Sequence, residues 1–326
     1  MKMDYTEKAV TDTAGGGDTT LPGKSPLILE IKGNSLDDGP GIRSVVFFKG
    51  CPLSCRWCHN PESKSPGPGI SHDPAECIDC GACITSCPEG AISKKNRYFI
   101  NREKCTLCYS CVETCPSGAL SQVGTIMTVE EIAAAVGKDI PFYKTSEGGV
   151  TLSGGEPTMY MEFTAALARS LKALEIHLLL ETCGLFVYEK YMDTLDPFID
   201  MIYFDIKLFE PAEHKKHCGA DNTLIHENFR KLYRNYQDGG TEILPRTPLI
   251  PGITDTEHNL TAIAEFLSSL GVTKSALLEY NPLWGAKCEK IGEENPLGSG
   301  KSRDAWMDRD HVARCRRIFL DRGIEV

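Results

Sequence analysis

No apolar run in this sequence approaches the ~18–20 residues of a membrane span. No basic stretch leading into an apolar one opens it, so a secretory signal is not expected. Positive charge is also scarce: 35 Lys and Arg stand against 45 Asp and Glu, a formal net charge of −10. That argues against general affinity for nucleic acid, whose phosphates require Lys and Arg. The hydrophobic fraction of 41% and the charged fraction of 25% are ordinary for a globular protein. A length of 326 residues suits one large domain with an insertion, or two modest domains.

Cysteine is the residue in excess. Eleven of the 15 cysteines fall into three short clusters. Without a secretion signal, thiols two or three residues apart suit metal or cluster ligation better than disulfides. The expected setting is a reducing, oxygen-poor cytoplasm.

Residues 1–24 are rich in Thr, Gly and Asp and lack hydrophobic periodicity, which predicts a flexible tail. A strand is expected over Leu27–Ile31, then the turn-rich SLDDGPGIRS, then the apolar run Val45–Phe48 leading to Cys51. Pro61–Pro74 is rich in Pro, Gly and Ser and reads as a linker. After it, CIDCGACITSCPEGAI and CTLCYSCVETCPSGAL form an internal duplication. Thr128-Val-Glu-Glu131 has the form of a capping box. From Gly149 onward, strand-like runs alternate with helical ones, and polar residues (SGGEP, ETCG, DIK, RTP, YNP) gather just after the strands. Such alternation implies an α/β fold with a parallel sheet, of about six βα units, with ligand chemistry at the carboxyl ends of the strands.

Cys77, Cys80, Cys83 and Cys87-Pro88 have the spacing C-x₂-C-x₂-C-x₃-C-P, and Cys105, Cys108, Cys111 and Cys115-Pro116 repeat it. This is the bacterial ferredoxin pattern for two 4Fe–4S clusters, in which the fourth cysteine of each block crosses to the other cluster. Cys77, Cys80, Cys83 and Cys115 are then one ligand set, and Cys87, Cys105, Cys108 and Cys111 the other. A pair of zinc sites is the alternative. The stretch CPLSCRWC differs: Cys51, Cys55 and Cys58 have no near fourth. Three thiolates leave one iron of a cluster open, as a catalytic zinc keeps one open position. Trp57 adds an aromatic face there. The alternatives are a damaged ferredoxin motif or a zinc site completed by His59.

CPLSCRWCHNPES resembles the signature of the radical S-adenosylmethionine (SAM) enzymes. Asp38-Gly-Pro-Gly-Ile-Arg43, followed by VVFFKGC, is similar to the activating enzymes of glycyl radical enzymes. The resemblance implies a partial (β/α)6 radical SAM barrel at 25–75 and 119–326, with a ferredoxin-like insert at 76–118. It also implies an activity. SAM is cleaved reductively at the cluster of Cys51, Cys55 and Cys58, and the 5′-deoxyadenosyl radical takes a hydrogen atom from a glycine of a partner lyase, dehydratase or decarboxylase.

Residue roles follow from the same resemblance. Trp57 is placed near the adenine. Ser153-Gly154-Gly155-Glu156-Pro157, by itself an ordinary Gly-rich turn, matches the GGE motif, whose backbone and Glu156 hold the SAM ammonium. Lys207 is placed against the ribose or carboxylate, or else forms a plain ion pair with Asp205. Arg246 matches the arginine that pairs with the SAM carboxylate. Glu181, Thr182 and Asp205 would form an oxygen-rich site for a monovalent cation. Asn281 stands where the pyruvate formate-lyase activase carries a histidine against SAM.

The expected cofactors are three 4Fe–4S clusters and SAM. The expected partners are a glycyl radical enzyme and a flavodoxin or ferredoxin donor, with no nucleic acid, no membrane and a monomeric chain. Two other classes account for less of the sequence: a ferredoxin-type electron carrier, and a radical SAM enzyme acting on a small molecule. Cys183, Cys218, Cys288 and Cys315 read as buried or incidental thiols. Arg314, Arg316 and Arg317 read as a solvated helix face.

Overall fold

The computed structural model describes residues 25–237, 239–298, 300 and 303–326; the expected tail, residues 1–24, lies outside them. Strand β1 (Leu27–Ser35) pairs antiparallel with β2 (Arg43–Lys49), which is buried over nearly its whole length, as a strand covered on both faces must be. The chain then leaves the sheet through β3 (Gly69–His72), the short helices α1 (Ala82–Ser86) and α2 (Ser110–Glu113), and β4 (Leu120–Val123). It returns through β5 (Thr125–Ile126), α3 (Val129–Gly137) and α4 (Ile140–Ser146). Strand and helix then alternate through β6 (Gly149–Gly154), α5 (Met161–Lys172), β7 (His177–Thr182), α6 (Tyr188–Thr194) and β8 (Met201–Asp205). Next come α7 (Pro211–Cys218), α8 (Thr223–Asn235), β9 (Glu242–Pro248), α9 (Glu257–Ser269), β10 (Ala276–Leu278), α10 (Gly285–Lys290) and α11 (Arg309–Leu320).

The main sheet has the order β10-β9-β8-β7-β6-β2-β1-β5. β2 and β6 to β10 are parallel to one another, which gives the six βα units expected. β1 and β5 add an antiparallel edge, and β10 and β5 are the open ends. This is the partial α/β barrel the sequence implied, in the form of an open mixed sheet. Its strands are apolar because helices cover them: Leu178, Leu180, Ile202 and Phe204 pack with Leu167 and Leu171 of α5, Phe229 of α8 and Leu260 of α9. The Thr128 capping box forms, with Glu131 N–H donating to Thr128 Oγ1 at 3.2 Å and Thr128 N–H to Glu131 Oε2 at 2.8 Å. Among the described residues no helix is long and apolar enough to cross a membrane.

The cysteine-rich excursion has its own small core. β3 and β4, at its two mouths, zip together antiparallel, and Ile70, Ile92, Ile100 and Leu120 pack with Cys83 and Cys111. Ile70 and Leu120 lie outside the expected 76–118 boundaries. The duplication is visible in the backbone. Asp79, Gly81 and Gly90 have φ of 61°, 74° and 57°, and their counterparts Leu107, Tyr109 and Gly118 have 55°, 63° and 73°. Left-handed residues among right-handed ones turn successive N–H groups inward, the geometry that lines many iron–sulfur sites.

A late segment joins this unit to the barrel. Lys290 bonds Asp73 at 2.5 Å, Glu293 meets Lys64 at 3.4 Å, and Glu294 pairs with Arg97. The same segment holds the CPLSCRWC loop: Arg56 donates to the Pro296 carbonyl at 2.5 Å, and Lys287 to Asn60 Oδ1 at 2.9 Å.

Candidate functional site

The loop Cys51–Cys58 follows β2, at the carboxyl end of the parallel strands. Its backbone is tied to the last turn of α7: Ser54 N–H donates to the Cys218 carbonyl at 2.8 Å, and Arg56 N–H to the His217 carbonyl at 3.0 Å. The helix thus spends its unsatisfied terminal carbonyls on the loop. Leu53, Cys55 and Trp57 are buried, and Trp57 faces the His217 ring at 6.3 Å between centroids. His59 instead lies stacked on Trp284 at 6.4 Å and 10°. Burial pushes the Cys58 thiol up to about 12, and the neighbouring Cys55 and Cys51 add to the rise. Cys58 in particular needs a bound positive charge to ionise, and iron would supply it. The donor set fits a cluster that keeps one open position.

Beside the loop, the end of β6 approaches β2 closely. Gly155 N–H donates to the Phe48 carbonyl and Glu156 N–H to the Gly50 carbonyl, both at 2.7 Å. Gly154 has φ +105°, and a Cβ on Gly155 would stand 2.1 Å from the Gly50 carbonyl oxygen. These glycines let backbone meet backbone just before Cys51, a structural duty in addition to any contact with a ligand. Gly155→Ala is expected to cost about 1–3 kcal/mol and to displace the loop. Thermal unfolding measures the first effect and iron content after reconstitution the second. A variant with wild-type midpoint and iron content would contradict this reading of Gly155.

Glu156 is buried and its carboxylate is clamped by its own chain. Oε1 accepts from Thr158 N–H, Thr158 Oγ1 and Thr182 Oγ1 at 3.2, 2.7 and 2.9 Å, and Oε2 from Cys183 N–H at 2.7 Å. One row of polar groups then crosses four strand ends. Ser153 Oγ donates to Glu181 Oε2 at 2.5 Å, and Arg246 reaches Glu181 Oε1 at 2.5 Å and Asp205 Oδ1 at 2.9–3.0 Å. Asp205 Oδ2 accepts from Lys207 at 3.0 Å. Asp205 and Arg246 are register partners on β8 and β9, and the guanidinium lies over the Tyr203 ring at 4.8 Å.

Charge balance follows from this row. Burial alone would raise Asp205, but Arg246 and Lys207 outweigh it and hold its carboxyl below the ordinary range. Burial likewise opposes the charge on Lys207 and on Arg246, yet the adjacent carboxylates keep both above their ordinary values.

Glu181, Thr182 and Asp205 do not converge on one point. Arg246 stands between the two carboxylates, and Thr182 turns to Glu156. Asn281 Oδ1 accepts from Leu283 N–H at 2.9 Å and caps the turn that follows it. Arg314, Arg316 and Arg317 are exposed on α11, as expected. All four scattered cysteines are buried. Two of them, Cys183 and Cys218, lie in one apolar cluster with Leu53, Cys55 and Trp57, against which Cys51 and Cys58 pack. Cys183 stands inside the ETCG motif, which was a usable signal. Ser153, Tyr203 and Cys218 reach the site only through tertiary packing.

The eight remaining clustered cysteines line two cavities. One is lined by Cys77, Cys80, Cys83 and Cys115 with Lys94 and Phe99. The other is lined by Cys87, Cys105, Cys108 and Cys111. Each takes three thiols from one block and the last from the other, the crossing that the ferredoxin spacing requires. Burial pushes Cys111 up to about 11, and the adjacent Cys105 adds to the rise.

The model of the 4Fe-4S dicluster domain matches residues 61–119, and that of the radical SAM superfamily matches residues 102–265. Over 298 residues the chain is 40% identical to the isethionate sulfite-lyase activating enzyme of Nitratidesulfovibrio vulgaris, covering 90% of this chain and 94% of that one. It is 39% identical over 290 residues to the (2S)-3-sulfopropanediol sulfolyase activating enzyme of Bilophila wadsworthia, covering 88% and 95%. With the choline trimethylamine-lyase activating enzyme of Oleidesulfovibrio alaskensis it shares 35% identity over 305 residues, covering 91% and 96%.

Proposed function

The chain belongs to the glycyl-radical-enzyme activating enzymes of the radical SAM superfamily, and on that footing we propose how its own residues carry the reaction. The reaction is reductive cleavage of the S–C5′ bond of SAM. One electron enters, methionine leaves, and the 5′-deoxyadenosyl radical takes a hydrogen atom from a glycine Cα of a glycyl radical enzyme. The products are 5′-deoxyadenosine and a glycyl radical. A 4Fe–4S centre supplies that electron when bound.

Cys51, Cys55 and Cys58 hold this centre, and Trp57 bounds the adenine side. The backbone of Gly154 and Gly155 receives the SAM ammonium together with Glu156 Oε2, which among the described residues accepts one bond, from Cys183 N–H. Lys207 keeps two N–H donors beyond its bond to Asp205 and directs them at the carboxylate or ribose. Arg246 completes the carboxylate site and brings the positive charge between Glu181 and Asp205 that a bound cation would otherwise supply. Asn281 shapes the rim through its cap. The observation that carries the reading is the meeting of the three-cysteine loop with the Glu156 turn, whose N–H donates to the Gly50 carbonyl just before Cys51, at the carboxyl ends of the parallel strands that also carry the row of Asp205, Lys207 and Arg246.

The insert spans 69–123, wider than 76–118, because β3 and β4 close it. Its two thiol-lined cavities hold two further 4Fe–4S clusters, three in all, and it is where a flavodoxin or ferredoxin delivers electrons. The chain works as a cytoplasmic monomer. Cys87→Ala is expected to remove the cluster of Cys105, Cys108 and Cys111 while sparing that of Cys77, Cys80 and Cys83. Iron content and the EPR spectrum of the reduced protein check this; loss of the other cluster would refute the crossed assignment.

The activity test is anaerobic reconstitution with iron and sulfide, addition of dithionite and SAM, and measurement of 5′-deoxyadenosine. Incubation with candidate glycyl radical enzymes follows, including those that cleave isethionate, sulfopropanediol and choline, with EPR detection of the glycyl radical. No 5′-deoxyadenosine from a fully loaded protein would sink the reading.

A further inference from the structure

His72 has no place in the reaction described so far, yet it forms part of the wall of the cavity lined by Cys77, Cys80, Cys83 and Cys115. Its ring lies on that of Phe99, another residue of the wall, at 4.0 Å between centroids and 19°. Phe99 reaches it from a backbone with φ of 66°, a conformation that bulky side chains rarely adopt. Asn96 Nδ2 fixes that turn by donating to the Phe99 carbonyl at 3.0 Å. Strand pairing fixes His72 itself, opposite Leu120 of β4. So held, the ring has its Nε2 sealed from solvent and without a hydrogen-bond partner among the described residues. Such a nitrogen is costly to leave unmet, and a group bound in the cavity is what can meet it. The duplication isolates this feature. The step of 28 residues from Cys77 to Cys105 carries His72 to Ile100 and relates Leu120 to Ile92. Ile92 and Ile100 pair antiparallel as Leu120 and His72 do, and both line the second cavity. One cavity thus has an imidazole where its twin has an aliphatic side chain.

We infer that His72 donates a hydrogen bond from Nε2 to a sulfur of the cluster bound by Cys77, Cys80, Cys83 and Cys115, and raises the potential of that cluster above its twin's. The inference rests on the reading that the insert holds two 4Fe–4S clusters, and deepens it by ranking them. Sulfurs of a cluster accept hydrogen bonds and have none to give, so the hydrogen sits on Nε2. Reduction adds one electron and breaks no bond, and the added negative charge strengthens a hydrogen bond that is already made. The reduced state gains more than the oxidised one, and the midpoint rises. At the other cluster Ile100 offers no donor. Four cysteines complete each ligand set, so His72 tunes its cluster and does not ligate it.

The test is an anaerobic EPR redox titration of the reconstituted holoprotein, in wild type, His72→Leu and His72→Asn. It follows the two reduced-cluster signals that do not respond to SAM. In His72→Leu one midpoint is expected to fall by about 59 mV or more, a tenfold loss in the one-electron equilibrium. The other midpoint and the iron content should stay as they were. Asparagine, which keeps an N–H donor, should lie closer to wild type. Wild-type protein labelled with heavy-nitrogen histidine gives a check that needs no variant. One SAM-insensitive signal should then carry a weak nitrogen hyperfine coupling in pulsed EPR. Unmoved midpoints in His72→Leu at full iron content would overturn the inference, as would an equal shift of both. If His72→Leu loses iron, the labelled wild type decides: no coupling refutes the hydrogen bond, and a strong one makes His72 a ligand. A wild type without SAM-insensitive signals would instead defeat the assignment of clusters to the insert.

Discussion

Cys55→Ala is expected to lower 5′-deoxyadenosine formation below detection while the protein keeps about two thirds of its iron. The reason is the separation of the thiol sets. Cys55 belongs to the loop at the sheet, whereas the eight cysteines of the insert line two cavities of their own. The loop itself should stay in place, because its anchors to α7 are backbone bonds from Ser54 and Arg56 that the substitution does not touch. The variant should therefore still show the EPR signals of the insert on reduction, with no response to SAM. Turnover at wild-type rate would remove Cys55 from the centre, and loss of all the iron would show that the insert does not load independently.

Arg246→Met should produce the largest stability effect in the barrel. The guanidinium alone separates Glu181 from Asp205, and all three are largely buried. Breaking a buried ion network by removing one partner costs about 3–5 kcal/mol, because the remaining charges stay uncompensated. The pH dependence gives the sign. In the wild type, Asp205 is held below its ordinary range, so its contribution is complete above the unfolded-state value and is lost only as pH falls through the depressed one. In the variant, burial, the largest influence on Asp205, is opposed by Lys207 without Arg246, and the Asp205 carboxyl should rise above its unfolded value. Folding then takes up protons, and acidification favours the folded variant. Chemical denaturation at pH 7 and pH 5 should show the gap to wild type narrowing at the lower pH; a constant or wider gap would contradict this account. The KM for SAM should rise as well.

What could be read from the sequence was local, and what could not depended on neighbours. The strand runs at Gly149, His177 and Met201 announce themselves as apolar segments followed by polar motifs, and the structure places them within a residue of expectation. β9 is different. It holds two prolines, Pro245 and Pro248, residues uncommon in a central strand, yet pairing with β8 and β10 carries the strand to Pro248 and puts Arg246 in register with Asp205.

The site residues were identifiable because they follow strands. Their partners were not: Glu181 meets Arg246 and Ser153, and Thr182 meets Glu156, by virtue of strand order. Cys218 lies far along the chain from Cys55, and no spacing rule joins them. The pairing of β3 with β4 escaped for a similar reason, since each becomes a strand only through the other.

The seam between insert and barrel has a bearing on synthesis. Asp73, Arg97 and Lys64 are translated early, but their partners Lys290, Glu294 and Glu293 come near the end of the chain. At about 5–20 residues per second, roughly 10–30 s pass between completion of β4 and the arrival of Lys290. During that interval the zipped unit emerges from the ribosome before the clasp that holds it exists. Cysteines 77–115 are thus translated on a tethered unit whose clasp to the barrel is not yet made.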